Sequence, residues 1–196
     1  LSFINSYSSL FKYLIFILYI IMFKYIILDF DNTIYNYDNA LNIGLNLTLE
    51  KISDDYNLIK SEVINNFNIE KNKFQNMCYN TASNHNKYIQ FKKLLEKYNI
   101  SLSKLDNYYN FFENEFNNNL ELYDNVINFF NLCKINKIKL YLLTNNICNI
   151  QITKLEKLNI TKYFDKVYTS EEFGIEKPDI KLINHILDDI GCCKNE

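Results

Sequence analysis

The sequence predicts an α/β fold: a parallel sheet with a long helical insertion after its first strand. Three observations carry that reading. Two short apolar runs, "KYIILD" at 24–29 and "IKLYLL" at 138–143, have the length and the β-branched and aromatic content of buried strands. From residue 124 onward, strand-like and helix-like stretches alternate, the order that builds parallel sheets. Between the two runs the chain carries helical periodicity only.

Taken in order, residues 24–29 form the first strand. Leu41, Leu45, Leu49 and Ile52 recur at helical spacing, as do Ile89, Leu94 and Leu95, and then Phe111, Phe112 and Phe116. These helices make residues 38–119 an inserted helical cap, with 22–37 and 120–196 as the core. Asp124 is placed to cap a helix that turns Val126, Phe129, Phe130 and Cys133 to one face and leads into "IKLYLL". Ile152, Leu155 and Leu158 mark the next helix, "KVYTS" from Lys166 a third strand, and Ile183, Ile186, Leu187 and Ile190 a last helix.

Composition narrows the class. The 196 residues suffice for one sizeable core, and a hydrophobic fraction of 48% with a net charge of -2 favours a globular chain over disorder or nucleic-acid binding. Only 3 Gly and 1 Pro accompany heavy use of Asn, Ile, Lys and Tyr, a bias that reads as genomic. The five cysteines, Cys78, Cys133, Cys148, Cys192 and Cys193, are odd in number and lack CxxC spacing, so a reducing, cytoplasmic setting fits and neither a disulfide framework nor a zinc site is indicated. Cys133 and Cys148 occupy apolar helix positions, where a buried small hydrophobe is expected.

Residues 10–28, "LFKYLIFILYIIMFKYIIL", invite comparison with a membrane span. Lys12 and Lys24 bracket an apolar run shorter than the roughly 18–20 residues that cross a bilayer, and extending it to Leu28 would consume the first strand. Residues 1–21 therefore read as a hydrophobic extension upstream of Met22, with a membrane anchor as the minority alternative, and stable membrane insertion is not expected.

At the carboxyl end of parallel strands the backbone leaves the sheet, and α/β proteins assemble ligand sites there. Asp29 and Asp31 stand at such an end in "ILDFDNT". One carboxylate can attack and bind a cation while the other moves a proton; the plain alternative is a polar turn that ends a strand. Two further features weigh against the plain reading. Thr144 ends the second strand in "LLTNN", where its hydroxyl and the N–H groups of Asn145 and Asn146 can hold an anion. Lys177, in "GIEKPD" before Pro178, supplies a point charge suited to phosphate.

In that order the motifs resemble those of the haloacid dehalogenase superfamily of phosphatases and related enzymes: "ILDFDNT" its first motif, "LLTNN" its second and Lys177 its third. The resemblance covers roughly residues 23–196 and implies a Rossmann-like core with a helical cap. It implies that Asp29 is a nucleophile forming an aspartyl-phosphate, that Asp31 is the general acid and base, that Thr144 orients the phosphoryl group, and that Lys177 offsets charge. Mg2+ would be held by the Asp29 carboxylate and the Asp31 main-chain carbonyl, with a fourth-motif acid. In the family that acid follows a further strand beside the first, so the resemblance implies that the natural chain continues past Glu196, and that a chain ending there binds the cation poorly, exposes a strand edge, and is inactive or nearly so and prone to self-association.

Asp31 favours phosphoryl transfer over dehalogenation, because a leaving halide needs no proton. The expected substrate is a small phosphate monoester, either a nucleoside monophosphate or a sugar phosphate. The alternatives are a catalytically inactive binding protein of the same fold and a phosphomutase. Tyr79, Tyr88, Phe91, Tyr108 and Tyr109 in the cap could stack on a base, but burial in the core is the commoner fate. His85, in the polar stretch "SNHNK", is expected to face solvent, although a cap loop there could close onto substrate; His185 falls off the apolar face of the last helix, and Asp188 and Asp189 are read as its solvated face.

Overall fold

A computed structural model describes residues 23–191. The sheet has three parallel strands in the order β1 (Tyr25–Leu28), β2 (Lys139–Thr144), β3 (Lys166–Thr169). Ile26 lies opposite Leu140, and Leu142 opposite Val167. Among the described residues β1 has β2 as its sheet neighbour and is partly rather than fully buried, whereas β2 is buried from Leu140 to Thr144. The upstream extension, Cys192 and Cys193 lie outside the described residues.

The insertion after β1 carries four α-helices: α1 (Tyr37–Asp55), α2 (Lys60–Met77), α3 (Lys87–Lys97) and α4 (Leu105–Asn118). A 3-10 turn, Ala82–His85, precedes α3. The core elements then follow as α5 (Val126–Ile135) before β2, α6 (Cys148–Lys157) before β3, a single turn α7 (Ser170–Phe173), and α8 (Ile180–Ile190). An α/β fold with helices on both faces of a parallel sheet is therefore the architecture.

Strand alternation divides the core. Leu140 and Leu142 face a large cluster that includes Phe130 and Cys133 of α5, Leu155 of α6 and the interior of the inserted helices. Tyr141, Leu143 and Tyr168 point the other way and pack on Leu182 and Ile186 of α8. The predicted periodic residues land where helical spacing puts them, with Leu49, Ile52, Leu94, Leu95, Phe112 and Phe116 all buried.

Three local expectations change. Asp124 is not the cap of α5: Asn125 holds that position in a left-handed conformation (φ 66°), with no side-chain cap bond. Cys148 is only partly buried, because it is the first residue of α6, where its N–H donates to Glu171 Oε2 at 2.8 Å. Asp189 does more than face solvent: it accepts bonds of 2.5 Å from Lys166 and from the Tyr168 hydroxyl, tying α8 to β3.

Candidate active site

β1 stops at Leu28, and the chain turns at once, with the N–H groups of Thr33 and Ile34 both donating to the Phe30 carbonyl. Phe30 is fully buried and anchors that turn, so Asp29 and Asp31 on either side of it are directed out of the sheet. Beyond the turn, Tyr35 bridges to Leu122 and the Asn36 N–H donates to the Glu121 carbonyl, so the two ends of the helical insertion are stitched together.

Asp29 is exposed to a polar cavity of about 320 Å³ at the carboxyl ends of the strands. Its Oδ2 accepts from the Thr33 hydroxyl at 3.2 Å, and the Lys177 ammonium donates to its Oδ1. The same ammonium reaches the Leu143 carbonyl at 2.8 Å, which fixes it above the end of β2. Although 148 residues separate them in sequence, Asp29 and Lys177 form one ion pair.

Asp31 has different company. Its Oδ1 accepts from the Tyr35 hydroxyl and from Lys154 Nζ at 3.0 Å, and its Oδ2 from Gln151 Nε2 at 3.2 Å. Lys154 is nearly inaccessible, 3% exposed at the side chain, and its ammonium also lies 4.8 Å from the centre of the Tyr37 ring. Burial pulls its pKa down, and the Asp31 carboxylate opposes that shift. The phenols respond in the opposite direction, since burial and then the Asp31 charge push Tyr35 far above its ordinary value.

Thr144 and Asn145 also line the cavity. The Thr144 hydroxyl accepts from Gln151 Nε2 at 2.5 Å, so one amide bridges the second motif and Asp31. The Asn145 side chain does not face an anion but clamps the third motif: its Nδ2 donates to the Lys177 carbonyl at 3.1 Å and its Oδ1 accepts from the Lys177 N–H at 2.9 Å. The Asn146 N–H, expected as an anion donor, is already bonded to Ser170 Oγ at 3.1 Å.

All five residues singled out in the sequence thus lie around one cavity. Sequence reasoning missed Tyr35, Gln151 and Lys154. The available signal was their placement: Gln151 and Lys154 share the stripe of Leu155 and Leu158 on α6, where polar side chains are out of keeping with burial. His85, expected to face solvent, is less exposed than that. It is partly buried in the cavity wall, with Nε2 3.1 Å from Glu176 Oε1, because the turn before α3 leans onto the loop that carries Lys177. His185, by contrast, is exposed on α8 and stacks on Phe173.

Four of the five cap aromatics serve packing. Phe91 and Tyr108 are buried, Tyr88 and Tyr109 pack edge to face against each other, and Tyr79 is exposed outside the cavity lining. The aromatic residue that does line the cavity is Tyr37.

For a cation, the cavity offers oxygen donors from Asp29, Asp31, Asn32 and Asp38. Among the described residues no group of three or more His, Cys, Asp and Glu side chains forms a metal cluster. A hard dication of the Mg2+ type needs only one or two carboxylates, since water and substrate phosphate complete its shell, so this donor set fits such an ion.

Comparison with known proteins agrees with the motifs. The chain is 28% identical over 156 residues to a ribulose-1,5-bisphosphate 5-phosphatase from Halopiger xanaduensis, a match covering 78% of this chain and 65% of that protein, just under two thirds of its length. Its fold is similar to that of 2-haloacid dehalogenase from Pseudomonas syringae pv. Tomato (TM-score 0.64, 14% identity, covering 87% of this chain and 74% of that one). It is also similar to the HAD-hydrolase YfnB from Bacillus subtilis, whose crystal structure is bound to magnesium (TM-score 0.57, 16% identity, 85% and 72% covered). The model of the haloacid dehalogenase-like hydrolases matches residues 26–196, and with the paired aspartates, the strand-end threonine and the lysine gathered in one cavity, the chain belongs to that family.

Proposed function

We propose that the protein is a magnesium-dependent phosphatase that hydrolyses a small phosphate monoester through an aspartyl-phosphate on Asp29. The observation that carries this reading is the division of labour between the two carboxylates: Asp29 faces open space beside Lys177, while Asp31 is braced from behind by Tyr35, Gln151 and Lys154.

Asp29 attacks phosphorus and forms the acyl phosphate as the ester C–O–P bond breaks on the phosphorus side. A proton from Asp31 goes to the departing alkoxide. Asp31, now a carboxylate, takes a proton from water, whose oxygen attacks phosphorus and releases inorganic phosphate with Asp29 restored. Lys177 offsets charge on the nucleophile and the phosphoryl oxygens, and the Thr144 hydroxyl orients them. Mg2+ on the Asp29 carboxylate and the Asp31 carbonyl would supply further charge neutralisation.

Of the two substrate classes, a sugar phosphate is favoured over a nucleoside monophosphate. The cavity is lined chiefly by Asp, Asn, Thr, His and Lys, and the five candidate stacking aromatics lie outside that lining. The name of the Halopiger relative points the same way. The inserted helices act as a cap over the cavity, and His85 is their contact with the catalytic loop. The test is phosphate release from a panel of sugar phosphates and nucleoside monophosphates, with Mg2+ or with chelator. Magnesium-dependent release led by a sugar phosphate is expected. Conversion of one ester into another would instead favour a mutase, and absence of turnover a binding protein.

A further inference from the structure

Beside the Asp29 cavity lies a second, more enclosed space of about 20 Å³, at the seam between the inserted helices and the core. Tyr37, His85 and Asn146 line both, so the two are adjoining parts of one cleft. Two ammonium groups line the inner space, and they differ in how they are matched. Lys154 has Asp31 at 3.0 Å. Lys87 has no carboxylate within 4 Å among the described residues, and its hydrogen bond there is a long one, 3.4 Å, to the His85 carbonyl.

The lining carboxylate, Glu113, does not make up the difference. Its own burial pushes its pKa up, against hydrogen bonds from Tyr109 and Asn117 and the charges of Lys154 and Lys87. Lys87 is pulled down to about 8, first by burial and then by repulsion from Lys154 and Lys71, with Asp31 and Glu113 offsetting only part. A partly buried cation with no carboxylate beside it is costly, and an anion brought in with a ligand reduces that cost.

We propose that Lys87, with His85 and Lys154 beside it, forms a second anion subsite that receives a second anionic group, phosphate or carboxylate, on the end of the substrate remote from the phosphoryl group at Asp29. The inner space has room for about one water-sized group. The anion therefore sits at the junction of the two spaces and directs an oxygen inward to Lys87. This inference rests on the phosphatase reading and narrows its substrate to a sugar bisphosphate or a phosphorylated sugar acid.

The test compares kcat/KM for three sugars of equal length: one carrying a single phosphate, one a second phosphate at the far end, and one a carboxylate there. The wild type is expected to favour a doubly anionic sugar by about tenfold or more, the scale of one charge-assisted hydrogen bond. Lys87→Met is expected to cost that sugar at least about fivefold more than it costs the monophosphate, which a general loss of folding would not do. The better of the two doubly anionic sugars identifies the group. Equal kcat/KM for all three in the wild type, or the same loss on every sugar in Lys87→Met, would overturn the subsite. If no sugar releases phosphate, the phosphatase reading falls separately. Calorimetric titration with the bisphosphate then decides the subsite: weaker binding to Lys87→Met supports it, and equal binding overturns it.

Discussion

Asp29 and Asp31 are two residues apart and live in different electrostatic settings. Asp29 is 45% exposed at the side chain and pairs with a partly exposed cation, Lys177, whereas Asp31 is 21% exposed and partners a buried one. Asp29→Asn should therefore remove activity, by at least about 10³-fold, while leaving the unfolding midpoint nearly unchanged. Asp31→Asn should behave differently on both counts. Its turnover of alkyl phosphates should fall about 10²-fold or more, with a smaller loss for aryl phosphates, whose leaving groups need less protonation; equal losses would contradict the acid and base role. Its stability should also fall, by about 3 kcal/mol, because Lys154 is left charged and unpaired, and adding Lys154→Met should restore much of that in denaturant unfolding. Asp29, Asp31 and Thr144 were legible because they stand at or just past the ends of apolar strands, and Lys177 because of its place before Pro178 in "GIEKPD". Lys154 was not, because its partner lies 123 residues away and a lysine in an amphipathic helix ordinarily faces water.

Among the elements, α1 and α4 show how periodicity underdetermines packing. Their apolar stripes were readable, but the closeness of the helices depends on Gly44. A methyl carbon there would lie 3.2 Å from the Phe112 ring and from Phe116 Cβ. Gly44→Val should cost about 1–3 kcal/mol in denaturant unfolding, since two aromatic side chains would have to shift within a packed interior. The strands were easier to read than the caps. Short continuous apolar runs bounded by polar residues read as strands, whereas the start of α5 turns on a single left-handed residue, Asn125, which competes on nearly equal terms with Asp124.

For the molecule as a whole, the inserted helices and the core meet at the active site through His85 and Glu176, 91 residues apart, a contact that no local pattern announces. Burial holds the His85 pKa below its ordinary value, against the pull of Glu176 and Asp31 and with the repulsion of Lys87. The unfolded chain thus takes up this proton at a higher pH than the folded one, so stability should decline as pH falls below about 6.5. His85→Gln should flatten the decline between pH 6.5 and 5 in urea unfolding measured across that range. No helix among the described residues is long and apolar enough to cross a membrane. The sequence exposed the order of strands and helices and the residues at the strand ends, because both follow from local apolar patterning. It did not expose the seam between the two parts, which depends on pairs distant in the chain. The central claim, that Asp29 attacks phosphorus, is tested most directly by quenching the protein during turnover of its preferred sugar phosphate, reducing with borohydride, and sequencing the peptides by mass spectrometry. Homoserine at position 29 is the expected result, since an acyl phosphate is reduced to an alcohol. Sustained phosphate release with Asp29 intact, or with reduction at another residue, would contradict it.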